Sequence, residues 1–142
     1  MHEITVAEPT GMVTGGVKNL LRVEGLVLFS TMLVAYETVG GSWSLFALLF
    51  LLPDLSFAAY AAGPRIGGAV YNAAHSTIAP IMLGAFGHAH DMPLLRAIGI
   101  IWLAHIGLDR TLGYGLKYAT GFTYTHLGRL GWGPDDRAGA RT

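Results

Sequence analysis

Cysteine is absent from this 142-residue chain, and charge is scarce: nine Lys and Arg against nine Asp and Glu, 13% of residues, with a net charge of zero. The absence of Cys excludes a disulfide scaffold and a thiolate zinc site. It says nothing about redox compartment. Ordinary globular domains carry roughly 25% charged residues, about twice the share found here. No basic excess exists to neutralise phosphates, so nucleic acid is not an expected partner. Disorder is excluded as well, because 52% of residues are hydrophobic and the mean hydropathy is +0.48. A soluble domain of this size needs more polar surface. These absences leave an integral membrane protein, and the length suggests one domain.

Four mostly apolar stretches are long enough, at roughly 20 residues each, to cross a bilayer: 19–39, 42–62, 65–87 and 93–112. Gly40-Gly41-Ser42, Gly63-Pro64 and the run from His88 to Pro93 separate them. Such short connections predict an all-α, antiparallel four-helix membrane bundle. The first 17 residues read as a flexible segment without a signal-peptide pattern. Residues 18–122 read as the membrane domain and 123–142 as a short cytoplasmic tail, disordered from Gly131 onward. In a four-span chain, Lys18, Arg22, Arg65, Arg110, Lys117, Arg129, Arg137 and Arg141 share one side, and only Arg96 faces the other. The positive-inside rule then places both termini in the cytoplasm.

Ionisable side chains inside spans are costly, so they should face the bundle interior. Counting about 1.5 Å per residue from the inner ends, Glu24 lies roughly 8 Å deep, Asp54 12 Å, Asn72 10 Å, His75 15 Å and His105 10 Å, with Asp109 shallower. Four helices thus place polar groups in one layer of the cytoplasmic half. Asn72 and His75 are three apart, and His105 and Asp109 are four apart, so each pair shares a helix face. Trp102 extends the His105 stripe. Pro53 frees a carbonyl beside Asp54, and Tyr60 lies nearer the inner mouth.

Three chemistries fit these residue types. The blandest is a hydrogen-bond network that fixes packing, although membrane helices usually do this with Ser, Thr, Asn or Gln. The second is an acid–base site: Glu24 and Asp54 as acid or electrostatic groups, His75 and His105 as bases, Asp109 orienting His105, and Asn72, Trp102, Tyr60, Tyr114 and Arg65 placed to meet substrate. The third is a metal or haem site drawing on His75 and His105 with Glu24, Asp54 or Asp109. Glu-x-x-His pairs of di-iron bundles are absent. His88 and His90 read as solvated loop residues.

The chain resembles the bacterial domain-of-unknown-function 4260 family of short membrane proteins. The likeness rests on Arg22-Val23-Glu24-Gly25, Leu52-Pro53-Asp54-Leu55-Ser56, Gly63-Pro64-Arg65-Ile66-Gly67, Tyr71-Asn72-Ala73-Ala74-His75 and the run from Trp102 to Arg110. It continues through Gly113-Tyr114-Gly115-Leu116-Lys117-Tyr118 and Thr125-His126-Leu127-Gly128. The resemblance implies a small integral membrane protein and supplies no activity; it adds Tyr114, Lys117 and His126 as lid or mouth residues. The expected function is an intramembrane enzyme acting on a lipophilic small molecule by isomerisation, cyclisation or hydrolysis. Its cofactor is none, a divalent metal or haem; its partners are the bilayer, the lipophilic substrate and a second copy of the chain. The alternatives are a small proton- or ion-coupled transporter and a structural, partner-binding subunit.

Overall fold

The computed structural model describes residues 11–130. The expectations for most of the N-terminal segment and for a disordered tail from Gly131 lie outside the described residues. The chain is mostly helical. Helix α1 spans Gly15–Val39 and ends on Gly40 at φ 66°, whose N–H returns to the Glu37 carbonyl. Ser42 then caps α2 (Trp43–Phe50), its hydroxyl accepting from the Leu45 N–H at 3.2 Å. A 3₁₀ helix follows at Leu52–Ala62, with Pro53 in its first turn. Gly63 at φ 107° turns the chain into α3 (Pro64–His75), α4 covers Ile78–Ala89, and α5 covers Pro93–Leu112.

Two expected spans are interrupted. The second changes winding from α to 3₁₀ at Pro53, which has no N–H to continue the ladder. The third breaks after His75, where Ser76 takes an extended backbone (φ −78°, ψ 140°). Pro80 explains that break, because its ring excludes the carbonyl four residues earlier, that of Ser76. Two helical stretches, Gly15–Val39 and Trp43–Ala62, are both long and apolar enough to cross a membrane. Helix α5 has 20 residues, but it carries the more polar inner face described below.

Helix α5 is the central rod, packed by α1 and α4. Close approach is bought with glycine. A Cβ on Gly25 would lie 2.9 Å from the Gly107 carbonyl oxygen, and one on Gly99 would lie 2.8 Å from the Gly84 Cα. Helix α3 packs instead on the 3₁₀ segment, where the Tyr60 ring covers Gly67. At the end of the bundle near the α1–α2 turn, Tyr36, Ala97 and Ile101 form an apolar core with Phe46 and Phe50 packed against it. The outer faces are different. Leu20, Val27, Val34, Leu48, Leu55, Ile66, Met82 and Phe86 are all exposed.

Beyond α5 the chain doubles back as a strap. Gly113 at φ 95° ends the helix, Lys117 bridges to Thr125, and β1 (Tyr124–Thr125) pairs antiparallel with β2 (Gly128–Arg129). Thr125 and Leu127 are buried. Residues 123–130 therefore belong to the folded body rather than to a separate tail starting at 123. The backbone N–H of Val13 donates to His126, tying the start of the described chain to the same strap.

Candidate functional site

Helix α5 presents His105 and Asp109 on one face, a single turn apart. His75 reaches them as the last residue of α3, and Asp54 from the first turn of the 3₁₀ helix. One donor atom from each of the four lies within 4.8 Å of the other three. The two imidazole Nε2 atoms are 3.2 Å apart. Asp54 Oδ1 is 3.6 Å from His75 Nε2 and 3.4 Å from His105 Nε2. Asp109 Oδ2 is 3.4 Å and 3.7 Å from the same two atoms. Both histidines are buried, Asp109 is largely so, and Asp54 keeps 36% of its side chain exposed.

The local sequence explains this precision. His75 Nδ1 lies 2.9 Å from the Tyr71 carbonyl one turn back. A carbonyl only accepts, so Nδ1 carries the proton and Nε2 turns a lone pair toward the cluster. The Tyr71 ring stacks on the imidazole at 3.7 Å, and its hydroxyl donates to Asp109 Oδ2 at 3.2 Å. Trp102 Nε1 donates to the Ala74 carbonyl at 2.6 Å and so pins the end of α3 to α5. His105 packs its edge against Phe50, and its Nδ1 is buried without a partner among the described residues. Sequence reasoning passed over Tyr71, although its i, i+4 spacing to His75 was the available signal.

Other expected site residues lie elsewhere. Glu24 lines a separate cavity of about 150 Å³ with Leu21, Thr77, Arg110 and Leu127 and is not among the side chains that meet in the cluster. Asn72 faces the strap, where its amide donates to the Lys117 carbonyl at 2.8 Å and accepts from the Lys117 N–H at 2.6 Å. Tyr60 has a buried hydroxyl without a partner among the described residues and an edge contact to Phe122. Tyr114 lines a small void beside His75 and Asp109. Arg65 is exposed at the start of α3. Trp102 does line a cavity of about 260 Å³, together with Leu49, Leu52, Pro53, Ser56, Ala74 and Ile98. Pro53 and Ala74 precede Asp54 and His75 directly, which brings this apolar space within one residue of the cluster, although none of the four cluster side chains lines it.

The strap carries two unusual groups. Lys117 is buried with Nζ unpartnered among the described residues, 4.1 Å from the centre of the Phe122 ring and 5.1 Å from that of Tyr71. Burial pushes its amine down to about 8, with the Asp109 charge opposing. His126 Nδ1 accepts from the Leu116 N–H at 2.8 Å, and burial holds that imidazole below its usual range, with the Arg110 charge adding to the shift.

A family model described as a domain of unknown function (DUF4260) matches residues 18–130, so the chain belongs to that family. Neither a curated protein nor a solved structure is similar enough to count as a match.

Proposed function

We propose that this member of the DUF4260 family is an integral-membrane enzyme that acts on a lipophilic small molecule. The observation that carries the reading is the meeting of Asp54, His75, His105 and Asp109 beside an apolar cavity of about 260 Å³. Reactive polar groups next to an apolar, ligand-sized space are the usual composition of a small-molecule site. The membrane setting is supported by two apolar stretches, Gly15–Val39 and Trp43–Ala62, and by the large apolar side chains on the outer faces. In this reading α1, the α2–3₁₀ pair, the α3–α4 pair and α5 form four passes, with both termini on the cytoplasmic side.

The chemistry follows from the donor set. An imidazole Nε2 takes a proton from the substrate, and a carboxyl group or the second imidazole returns one at another atom. That transfer suits an isomerisation or cyclisation; with water in the cavity it suits a hydrolysis. No Cys is present to serve as a covalent nucleophile.

The test uses the full chain in lipid nanodiscs, incubated with a lipophilic extract of the host membrane and followed by chromatography with mass detection. A species should appear or vanish with the wild type and not with Asp54→Asn or His105→Ala, both checked for native helicity. Unchanged extracts, or full conversion by both variants, would remove the enzymatic reading.

A further inference from the structure

We propose that Asp54, His75, His105 and Asp109 form a tetrahedral site for a divalent transition metal of the zinc class. The inference uses the same four side chains as the enzymatic reading but does not depend on turnover.

Geometry comes first. Four donor atoms define six edges, and five of them measure 3.2, 3.4, 3.4, 3.6 and 3.7 Å. The sixth, between the two carboxylate oxygens, is below 4.8 Å. A tetrahedron with such edges has its centre roughly 2.1 Å from each vertex when the sixth edge matches the other five, and roughly 2.4 Å at the limit of that edge; zinc binds imidazole nitrogen at about 2.0–2.1 Å and carboxylate oxygen at about 2.0–2.2 Å. The four atoms therefore surround a space of the size of the ion.

Lone pairs come second. The Tyr71 carbonyl fixes the proton of His75 on Nδ1, so Nε2 of His75 offers a lone pair. It faces another imidazole nitrogen and two carboxylate oxygens, which when ionised are acceptors only. A single proton on His105 Nε2 satisfies one neighbour and leaves the remaining acceptors opposed. A cation at the centre satisfies all four.

Charge and support agree. Two carboxylates and two neutral imidazoles sum to −2, which a dication cancels in a place where uncompensated charge is costly. His75 sits at the carbonyl end of α3, which also favours a cation. Tyr71 orients two ligands at once, by its carbonyl to His75 and its hydroxyl to Asp109; such supporting bonds commonly hold metal ligands. Three ligands are 3–17% exposed, and Asp54 is 36% exposed. Asp54 is thus the ligand that water or a substrate oxygen can displace, which gives the three-plus-one arrangement of catalytic zinc sites.

The experiment takes the full chain in nanodiscs, without a polyhistidine tag, strips it with chelator and titrates it with cobalt(II). The expected result is one cobalt per chain, with the intense visible absorption of four-coordinate cobalt, displaced by zinc. His105→Ala and Asp109→Asn should each weaken binding by about 100-fold or more, with native helicity checked by circular dichroism. The double variant His88→Ala/His90→Ala, whose side chains lie in the last turn of α4 and in the turn before α5, should bind as the wild type does. No stoichiometric binding, a pale six-coordinate spectrum, or loss of signal only in the His88/His90 variant would overturn the proposal. A cobalt site without turnover keeps this inference and ends the enzymatic one; turnover that survives chelation does the reverse.

Discussion

Tyr71 touches both sides of the site, and the two contacts are separable. Tyr71→Phe removes the hydroxyl that reaches Asp109 and leaves the carbonyl that orients His75. Cobalt affinity should fall by roughly 10-fold, with the four-coordinate spectrum retained; an unchanged affinity would show that the hydroxyl does not position Asp109. Lys117 makes a pH prediction. Its amine is about 8 in the fold against 10.5 when free. Between those values the unfolded chain binds more protons than the folded one, so stability rises with pH from about 8 to about 10.5. Lys117→Met should flatten that rise in a thermal-unfolding series and should not lower stability at neutral pH. His126 works in the same direction at lower pH: its folded imidazole titrates below the free value of 6.5. The strap should loosen as the pH falls below about 6.5, when a proton competes for the Nδ1 lone pair that Leu116 uses.

The pairing of His105 with Asp109 was legible in the sequence because residues four apart on a helix must share a face. The pairing of His75 with Asn72 was read by the same rule, and there it misled. Three residues apart spans about 300° of turn, enough for Asn72 to address the strap while His75 addresses α5. Glu24 exposes the gap in a depth count. Height along a span follows from residue number, but the side of the bundle a residue faces depends on which helices surround it.

Among elements, hydropathy located the apolar stretches and missed their winding. Residues 42–62 are mostly apolar, with Asp54 the one charged residue among them, and an apolar run carries no period that separates an α from a 3₁₀ helix. The break in the third stretch did have a signal, Pro80 read four residues back, hidden by the apolar residues around it. The strap was legible only as a Gly- and Tyr-rich segment too polar to span, since two of the bonds that fix it run between the Asn72 side chain and the Lys117 backbone. Asn72→Ala removes both of them, at roughly 1 kcal/mol each. Limited proteolysis should then cut within 113–130 several times faster than in the wild type; equal rates would mean that the hairpin holds itself in place. The α1–α5 contact has less tolerance. A Cβ at Gly25 meets Arg110 Cβ and the Thr111 backbone nitrogen at 2.8 Å, so Gly25→Leu should cost about 1–3 kcal/mol or more as overpacking, measurable as a lowered unfolding temperature in detergent.

For the whole molecule, the absence of cysteine makes topology directly measurable. Thr14→Cys, just before α1, and Asp91→Cys, in the α4–α5 turn, introduce single thiols at exposed positions in a background without any. A membrane-impermeant maleimide applied to intact cells should label Asp91→Cys and spare Thr14→Cys until the cells are opened. The opposite pattern would invert the bundle, and labelling of both positions in intact cells would exclude a four-pass arrangement with opposed ends.

The cavity beside the cluster is framed by Leu49, Leu52 and Trp102, and Leu52 is itself more than half exposed on the outer surface. Under the proposed function, a compound taking that route would come sideways out of the acyl chains without crossing bulk water. The concentration that governs occupancy is then the one dissolved in the leaflet. Across a homologous series, apparent KM expressed per litre of buffer should drop as the oil–water partition coefficient climbs, whereas KM expressed per mole of phospholipid should stay nearly level.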